Sequence, residues 1–390
     1  MNNTRLEDMN LLYDAFRASM KGSSWKSEPQ KFEVDFLSEL NKLSDEIADR
    51  SYKTSPKSEF ILKERGKTRF IHGNRIRDRI TRHYLCDNVL SPTLAPYLIY
   101  NNGASQKGKG TDFARKQFEK DLHNFYLEHR NNKGYVAFID FSKFFDNIRH
   151  DKALKDILPK LNSQSQWMLR EIFKSFEIDV SYMNDLEYTN CIHEKFNSID
   201  YHLAISDELK TGKKFMSKSV DIGDQVSQDV GVFFPTRIDN YATVVRGCRR
   251  YGRYMDDIYI IHESKEFLQS VIDGIYKEAE NLGIFINEKK TRIVKLSSTF
   301  KYLQFKYTLL ETGRVVKRIN PKTLTRERRK LKKYKHLLDK GVLAYTDIEN
   351  CYKSWMGTYA NYLSKYQRQH IQDLYKSLFE RSPRWKKEQK

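Results

Sequence analysis

The sequence has few of the residues that interrupt or cross-link a chain. Its 390 residues include 17 glycines and 8 prolines, which argues against long linkers and low-complexity segments. The four cysteines are scattered without a CxxC pair, so neither a zinc ligand set nor a disulfide framework is predicted. No apolar run approaches the roughly 20 residues that span a bilayer, and the polar N-terminus does not resemble a signal peptide. These absences predict a soluble cytoplasmic protein with no membrane partner.

Acidic residues are too few to balance the basic ones. The chain has 70 Lys and Arg against 51 Asp and Glu, which gives a net charge of +19. A surface this positive attracts polyanions, and nucleic acid is the commonest polyanion that a soluble protein meets. Anionic lipid is the alternative, but neither terminus shows a basic amphipathic helix with a clean apolar face. Hydrophobic residues make up 39% of the chain, enough for a substantial core.

The order of helical and strand patterns predicts an α+β fold with an antiparallel sheet backed by helices. Residues 59–63 and 68–73 predict a hairpin, and residues 77–90 predict a helix that stops before Pro92. The apolar run 134–141 predicts a buried central strand. A helix over 227–245 is expected to kink at Pro235.

The flanking regions are read in the same way. Residues 1–50 and 320–390 have helical periodicity, and the C-terminal region is strongly basic. The region 151–220 predicts helices around 152–158 and 167–176, followed by weak strand signals.

Three carboxylates stand at the ends of predicted strands. Asp140 closes the buried strand, and the adjacent Asp256 and Asp257 occupy the turn of a hairpin. Taken singly, Asp140 is better explained by a helix cap or an ion pair than by metal ligation, and the turn acids are better explained by backbone geometry. Together, they can converge across adjacent strands. Such carboxylates hold two Mg²⁺ ions through oxygen ligands and support in-line displacement at phosphorus.

These residues belong to an ordered series of motifs that resembles the reverse transcriptases. The resemblance covers roughly residues 55 to 380, and its order along the chain makes it specific. The motifs are KERGKTRFI (63–71) with RDRI (77–80), FIDFSKFFDNI (138–148), IGDQVSQ (222–228), YMDD (254–257), LGIFINEKKT (282–291), FKYLQF (300–305) and SWMGTYANYL (354–363).

The resemblance implies a right-hand polymerase with fingers, palm and thumb. The expected parts are an N-terminal helical extension (1–55), fingers (56–133), a first part of the palm (134–150), an insertion in fingers or palm (151–220), the palm with catalytic hairpin and primer grip (221–310), and a basic helical thumb with a short tail (311–390).

The resemblance also implies roles for single residues. Asp140 and Asp256 are expected to ligate the metal ions, with Asp257 nearby and the Phe141 carbonyl completing one coordination position. Lys290 stands where the family has a candidate acid for the departing pyrophosphate, although the adjacent Lys289 leaves this assignment open.

Other residues match the nucleotide-binding positions of the family. Phe145 stands where a bulky ring would clash with a ribose 2′-hydroxyl, although composition alone favours core packing for it. Lys67 and Arg69 match the positions at which the family binds the triphosphate. The alternative is that they are solvated residues of a hairpin. The remaining nucleotide-binding positions are Gly223, Ser227 and Gln228.

Two departures from the family pattern fall in this last motif. Many members have Gln before the Gly and Pro after the Ser, where this chain has Ile222 and Gln228. The Ser-Gln pair is similar to that of diversity-generating and defence-associated bacterial enzymes.

Basic residues crowd the region that would form the thumb. Like charges at this spacing destabilise an isolated helix, so an external polyanion is expected to compensate them through phosphate contacts. Lys107 and Lys109, in a Gly-rich loop, are expected to do the same on the template side, against the alternative of a plain flexible loop. The thumb residues assigned to nucleic acid are Arg326, Arg329, Lys330 and Lys333.

Together the motifs predict an RNA-directed DNA polymerase that uses two Mg²⁺ ions, with Mn²⁺ as a substitute. Its expected partners are a template RNA, the complementary DNA and deoxynucleoside triphosphates, and an accessory protein or a second copy stays open. We favour a stand-alone prokaryotic enzyme that copies a dedicated non-coding RNA in anti-phage defence. The alternatives are diversity generation, an idle RNA-binding scaffold of the maturase kind and a nucleotide cyclase. A maturase-like scaffold predicts eroded carboxylates, and a cyclase needs neither fingers nor thumb.

Overall fold

The computed structural model describes residues 8–384 with the exception of Arg65. The first seven residues of the predicted N-terminal extension and the last six of the predicted tail lie outside the described residues. The α-helices are α1 (Met9–Met20), α2 (Ser27–Val34), α3 (Phe36–Ala48), α4 (Ile76–Leu85), α5 (Ser91–Leu94), α6 (Thr111–His129), α7 (His150–Ile157), α8 (Ser163–Lys174), α9 (Asp185–His193), α10 (Ser198–Ala204), α11 (Gln225–Phe233), α12 (Thr236–Asn240), α13 (Lys265–Leu282), α14 (Pro321–Asp339), α15 (Tyr345–Tyr359) and α16 (Lys365–Phe379).

In the described part of the chain, the strands are fewer than the helices and most of them are shorter. They are β1 (Ser58–Glu64), β2 (Lys67–Gly73), β3 (Tyr135–Asp140), β4 (Ile178–Asp179), β5 (Phe215–Met216), β6 (Tyr251–Tyr254), β7 (Asp257–His262), β8 (Arg292–Lys295), β9 (Phe300–Tyr302), β10 (Phe305–Leu309) and β11 (Val315–Ile319).

The described residues form two compact units. The first comprises residues 8–114 and 137–293, and the second comprises 115–136 and 294–384. The predicted boundaries of fingers, palm and thumb stay predictions. In the part of the chain that the structure describes, no helix is long and apolar enough to cross a membrane.

A four-stranded sheet in the order β6-β7-β3-β8 provides the frame of the site. β3 is buried almost throughout, as the apolar run 134–141 predicts. Strands β6 and β7 form an antiparallel hairpin in which Tyr254 pairs with Asp257, so that Met255 and Asp256 make the turn. Met255 has a φ of 56°, in the left-handed region that tight hairpin turns require.

The hairpin of β1 and β2 is also confirmed. The strands are antiparallel and pair from Ser58–Gly73 to Glu64–Lys67. Gly66, in the turn, has a φ of 74°, which glycine adopts without steric cost.

Proline has different effects in two predicted helices. The expected interruption at Pro235 is confirmed, since α11 ends at Phe233 and α12 begins at Thr236. The expected stop before Pro92 is wrong. The chain passes from α4 through a π-helical turn, 86–90, directly into α5, where Pro92 lies in the first turn. A first-turn residue needs no N–H for the helix, so proline is tolerated there.

The region 151–220 contains more helix than its sequence predicts. The expected helices are present as α7 and α8. The weak strand signals correspond to the two-residue strands β4 and β5, while α9 and α10 are additional. A sequence signal for α9 existed, because Asn184 and Glu187 form a capping box at its start.

The second unit contains the predicted primer-grip hairpin and the basic helices. β9 and β10 pair across a turn in which Leu303 and Gln304 both have positive φ. Gln304 adopts this left-handed conformation although it is not a glycine. Behind it, α14, α15 and α16 share an apolar core that includes Leu331, Tyr352 and Tyr375.

Candidate active site

Backbone hydrogen bonds bring the end of β3 to the turn of the β6–β7 hairpin. The Phe141 N–H donates to the Asp256 carbonyl oxygen at 3.2 Å, and the Ser142 N–H donates to the Phe285 carbonyl oxygen at 2.6 Å. The carboxylates of Asp140 and Asp256 therefore meet at one end of the sheet, although they are 116 positions apart in sequence.

Two residues that follow α13 hold Asp140. The Lys290 ammonium donates to both carboxylate oxygens at 2.7 Å. The Asn287 amide donates to Oδ2 at 3.2 Å, and its backbone N–H donates to the Asp140 carbonyl oxygen at 2.7 Å. Asn287 was missed by sequence reasoning. The signal was its place inside the motif that contains Lys290.

The two acids of the turn, Asp256 and Asp257, have less compensating positive charge than Asp140. Burial, followed by repulsion from Asp140, raises the pKa of Asp256. Burial, together with the charges of Asp256 and Asp140, raises the pKa of Asp257 to about 7. Lys290 and Lys67 act in the opposite direction on both acids but do not cancel the effect. The site thus concentrates negative charge where a cation would be stabilised.

The donor set fits hard divalent ions. In the described residues, no group of three or more His, Cys, Asp or Glu side chains is arranged to hold a metal. Mg²⁺ does not require such a cage, because it is usually bound through one or two carboxylates, with water and substrate phosphates as further ligands. Asp140 and Asp256 supply two such carboxylates on one cavity, and the pKa values of Asp256 and Asp257 are raised first by burial and then by neighbouring negative charge.

A cavity of about 880 Å³ opens from these carboxylates. Asp140 and Asp256 line it together with Lys67 and Arg69 of β2. Asp257 is not among the lining residues and lies at the start of β7. One cavity therefore brings oxygen ligands for cations together with cationic groups for phosphate. The other predicted site residues that line it are Phe141, Phe145, Gly223 and Lys290.

Phe145 lies in a 3₁₀ turn, Phe145–Asn147, a few residues after β3. Its ring is partly exposed, lines the cavity and packs near α11, where a Cβ on Gly231 would lie 3.3 Å from two ring carbons and 3.2 Å from the Met255 sulfur. The glycine thus lets α11 approach both Phe145 and the turn of the β6–β7 hairpin.

The motif 222–228 is divided between the cavity and the interior. Gly223 lines the cavity with a φ of 95°. Ser227 is fully buried, and its hydroxyl has no hydrogen-bond partner among the described residues. The Gln228 side chain accepts a hydrogen bond from the Ser105 hydroxyl at 3.0 Å. Neither Ser227 nor Gln228 is among the residues that line the cavity.

A buried arginine supports the turn from inside the fold. Arg253 donates to the Met255 carbonyl oxygen at 3.1 Å and to the Val232 carbonyl oxygen at 2.8 Å. Its charge is balanced by Asp239, with the shortest contact at 2.6 Å. Asp239 lies in α12, so the break at Pro235 precedes the short helix that presents this partner.

The predicted template-side lysines differ from each other. Lys107 is exposed. The Lys109 ammonium donates to the Tyr100 carbonyl oxygen at 2.8 Å and to the Gln106 side chain at 3.1 Å, and burial lowers its pKa. Lys109 therefore also stabilises its own loop.

The basic residues of α14 belong to the second unit. Arg326, Arg329 and Lys333 are exposed, and Arg326 donates to the Thr323 hydroxyl at 3.2 Å. Lys330 lies 3.9 Å from Glu327, which is buried on α14. The single acid among these residues therefore does not neutralise the exposed face.

Comparison with known families agrees with this arrangement. The family described as reverse transcriptase (RNA-dependent DNA polymerase) matches residues 56–307, well over half of the chain. A comparison with curated proteins found no match. The matched range contains the β1–β2 hairpin, both carboxylate segments, and β9 with its turn into β10. The chain therefore belongs to the reverse transcriptase family, has the right-hand polymerase fold and is an RNA-directed DNA polymerase, a nucleotidyltransferase that acts with RNA template, deoxynucleoside triphosphates and DNA product.

Proposed function

We propose that the 880 Å³ cavity is where an incoming deoxynucleotide is joined to a growing DNA strand with the help of two Mg²⁺ ions, for which Mn²⁺ can substitute. The observation that carries the proposal is the lining of this one cavity. Asp140 and Asp256 contribute carboxylates, whereas Lys67 and Arg69 contribute cations. A nucleoside triphosphate chelated to divalent ions needs both.

Each residue has a role in this scheme. Asp140 and Asp256 would hold the ions, with the Phe141 carbonyl as a further ligand and Asp257 adding negative charge nearby. Bound ions activate an attacking hydroxyl and stabilise the leaving oxygen of an in-line displacement at phosphorus. Lys67 and Arg69 bind phosphate oxygens, the lysine as a point charge and the arginine as a fork.

Lys290 and Phe145 act on the two ends of the nucleotide. Lys290 is the candidate donor of a proton to the departing pyrophosphate, since its ammonium already lies at the carboxylate that would hold an ion. The ring of Phe145 excludes a ribose 2′-hydroxyl and so selects deoxyribonucleotides. Gly223 permits close approach of the backbone, and Ser227 and Gln228 follow it in the same motif, where the Gln228 side chain accepts a hydrogen bond from Ser105.

The wider context follows from charge and from the family resemblance. The exposed face of α14, with Arg326, Arg329 and Lys333, is suited to phosphate contacts that do not read sequence. Lys107 offers a similar contact for the template. We propose a prokaryotic, cytoplasmic enzyme that copies a dedicated non-coding RNA in anti-phage defence, with diversity generation as the alternative, because the Ser227–Gln228 pair is similar to that of both groups of bacterial enzymes.

The test is to purify the protein from its native host with the nucleic acid that it holds and to sequence both RNA and DNA. One abundant RNA with matching complementary DNA is the expected result. Complementary DNA that returns to a variable region of a host gene would instead indicate diversity generation. A heterogeneous RNA pool without complementary DNA would contradict the proposal and favour the scaffold alternative.

A further inference from the structure

The turn that presents Phe145 is fastened to a distant segment of the region 151–220. The Asn147 amide donates to the Phe196 carbonyl oxygen at 3.0 Å and accepts from the Phe196 N–H at 2.8 Å. The same amide donates to the Lys143 carbonyl oxygen at 2.8 Å. Asn147 is 2% exposed, so these bonds are shielded from water. One side chain thus joins both ends of the turn to Phe196.

A second residue of the turn makes a parallel connection. The Asp146 carboxylate accepts from the Ser198 hydroxyl at 2.9 Å and from the Ser198 N–H at 3.4 Å. Between these contacts, the Asn197 side chain accepts from the Lys143 ammonium at 2.8 Å. Three consecutive residues, 196–198, therefore hold the turn from one side. We call the segment 196–199 the clamp.

The clamp also forms part of the cavity wall. Ser198 and Ile199 line the same 880 Å³ cavity as Phe145 and Lys67. A deoxynucleotide in that cavity would meet the ring of Phe145 and the clamp together. The clamp is thus both a support of the ring and a surface that the nucleotide contacts.

The opposite side of the turn is held by backbone. The Val220 N–H donates to the Phe145 carbonyl oxygen at 3.0 Å, and the Ser219 N–H donates to the Ile148 carbonyl oxygen at 2.9 Å. The preceding residue, Lys218, is fully buried and donates to the carbonyl oxygens of Cys191 and Glu194 at 2.9 and 2.6 Å. Lys218 therefore fixes the end of α9 immediately before the clamp.

From this arrangement we propose that the clamp determines sugar selectivity by setting the position of the Phe145 ring, with Asn147 and Ser198 as its positioning residues. The inference rests on the proposed role of Phe145. A ring excludes a hydroxyl only if it cannot move aside, and the hydrogen bonds of Asn147 and Asp146 to the clamp restrict that movement. The region between the two carboxylate motifs thereby takes part in substrate choice.

The experiment measures kcat/KM for single-nucleotide incorporation of a deoxynucleotide and of the matching ribonucleotide on a primed RNA template. Asn147→Ala removes the buried hydrogen bonds that hold the turn. It should lower the ratio of kcat/KM for the deoxynucleotide to that for the ribonucleotide by about tenfold, which corresponds to about 1.4 kcal/mol. Most of the change should be a lower KM for the ribonucleotide, with kcat for the deoxynucleotide little altered. Ser198→Ala should have a smaller effect in the same direction.

The matched control is Asn184→Ala, which removes the side-chain cap of α9 in the same region without touching the turn. It should leave the sugar ratio unchanged. In the Phe145→Ala background, Asn147→Ala should have no further effect on the sugar ratio, because the ring that Asn147 positions is absent. A loss of stability alone would change kcat in both backgrounds, and the effect on the sugar ratio would then not depend on the presence of the Phe145 ring.

The outcomes separate the inference from the proposed function. If Phe145→Ala lowers the sugar ratio and neither Asn147→Ala nor Ser198→Ala does, the clamp has no role in selectivity and the inference is wrong. If Phe145→Ala leaves the sugar ratio unchanged, the proposed role of Phe145 is wrong, and the inference about the clamp is wrong with it. If Asn147→Ala does not fold, Ser198→Ala decides when it is measured in both the wild-type and the Phe145→Ala background, since it removes only the hydroxyl that donates to Asp146 and should have no effect once the ring is gone.

Discussion

Two groups of buried carboxylates lie close to the β6–β7 hairpin, and they differ in how their charge is balanced. Asp239 is completely buried, receives hydrogen bonds from Arg253 and from the Tyr251 hydroxyl, and forms a closed ion pair. Asp256 and Asp257 are partly buried next to Asp140, and their pKa values are raised by burial and by mutual repulsion. The first group is neutral in sum, whereas the second retains excess negative charge.

The difference separates a structural site from a candidate functional one. A buried carboxylate with a fully engaged arginine needs nothing further, and such pairs position backbone rather than bind ligands. Carboxylates that repel one another beside an open cavity are unfavourable unless a cation joins them. Arg253 therefore sets the geometry of the β6–β7 turn from inside the fold, whereas the acids of the turn lie near an open cavity where a cation could join them.

The largest expected effect comes from removing the unbalanced charge. Asp256→Asn combined with Asp257→Asn should lower the rate of DNA synthesis by about 10³-fold or more, which corresponds to loss of about 4 kcal/mol of metal-dependent stabilisation. The melting temperature should stay the same or rise, because repulsion is relieved. Primer extension and thermal unfolding on the same preparations measure both effects. Retained synthesis would remove these residues from the metal site.

The opposite result is expected for the balanced pair. Asp239→Asn leaves the Arg253 charge buried without its partner and should lower the free energy of unfolding by about 3–5 kcal/mol. Denaturant unfolding measures the change. Asp273→Asn is the control, because Asp273 is exposed on α13 and should change stability by at most about 0.5 kcal/mol. Equal effects of the two variants would contradict the description of Asp239 as a closed structural partner.

The pH dependence of stability sharpens the contrast. In the folded protein Asp257 keeps its proton up to about pH 7, whereas its ordinary pKa is 3.8. Between these values Asp257 binds more proton in the folded state than in the unfolded state, so this group lowers the free energy of unfolding of the metal-free protein as pH rises, by at most about 1.4 kcal/mol per pH unit relative to the Asp257→Asn variant. Urea unfolding at pH 5, 6, 7 and 8 measures this slope.

Mg²⁺ should counteract this loss, with a greater stabilisation at pH 8 than at pH 6, because the ion binds the ionised carboxylates. Asp257→Asn should remove this contribution to the slope. Equal slopes in the wild-type protein and the Asp257→Asn variant would mean that Asp257 is ionised throughout this range.

The smallest effect is expected at the protein surface, where charges are solvated. Replacing Arg326 and Arg329 together by Gln should weaken binding of an RNA–DNA duplex about tenfold and lower the slope of log affinity against log salt by about 2. Binding titrations at several salt concentrations measure both quantities. Lys335→Gln is the control, since its ammonium is paired with Asp339 at 2.5 Å. An unchanged slope in the double variant would remove this face of α14 from the nucleic-acid surface.

Sequence patterns predict the elements best where local and long-range signals agree. The apolar run that ends at Asp140 forms the buried strand β3, and the motif around Asp256 forms a two-residue hairpin turn. In contrast, the helix through Pro92 was not foreseen, because proline at a first helical turn looks in sequence like proline at a helix end. The helix α9 has a capping box but little apolar periodicity, since none of its residues is buried.

For the candidate site, sequence places the residues but not their partners. Lys67, Arg69, Phe145 and the carboxylates are named by motif, and the structure brings most of them to one cavity. The buried arginine that holds the turn and the clamp of residues 196–199 depend on contacts between segments far apart in sequence. Such contacts are set by packing and leave no periodic signal in either segment.

The most direct test of the unbalanced carboxylates is a titration of the protein with Mn²⁺, followed by the loss of the electron paramagnetic resonance signal of the free ion. The account predicts that the wild-type protein binds Mn²⁺, that added Mg²⁺ displaces it, and that Asp256→Asn with Asp257→Asn abolishes this binding while Asp273→Asn does not. Equal binding by the wild-type protein and the double variant would contradict the assignment of the metal site to this turn.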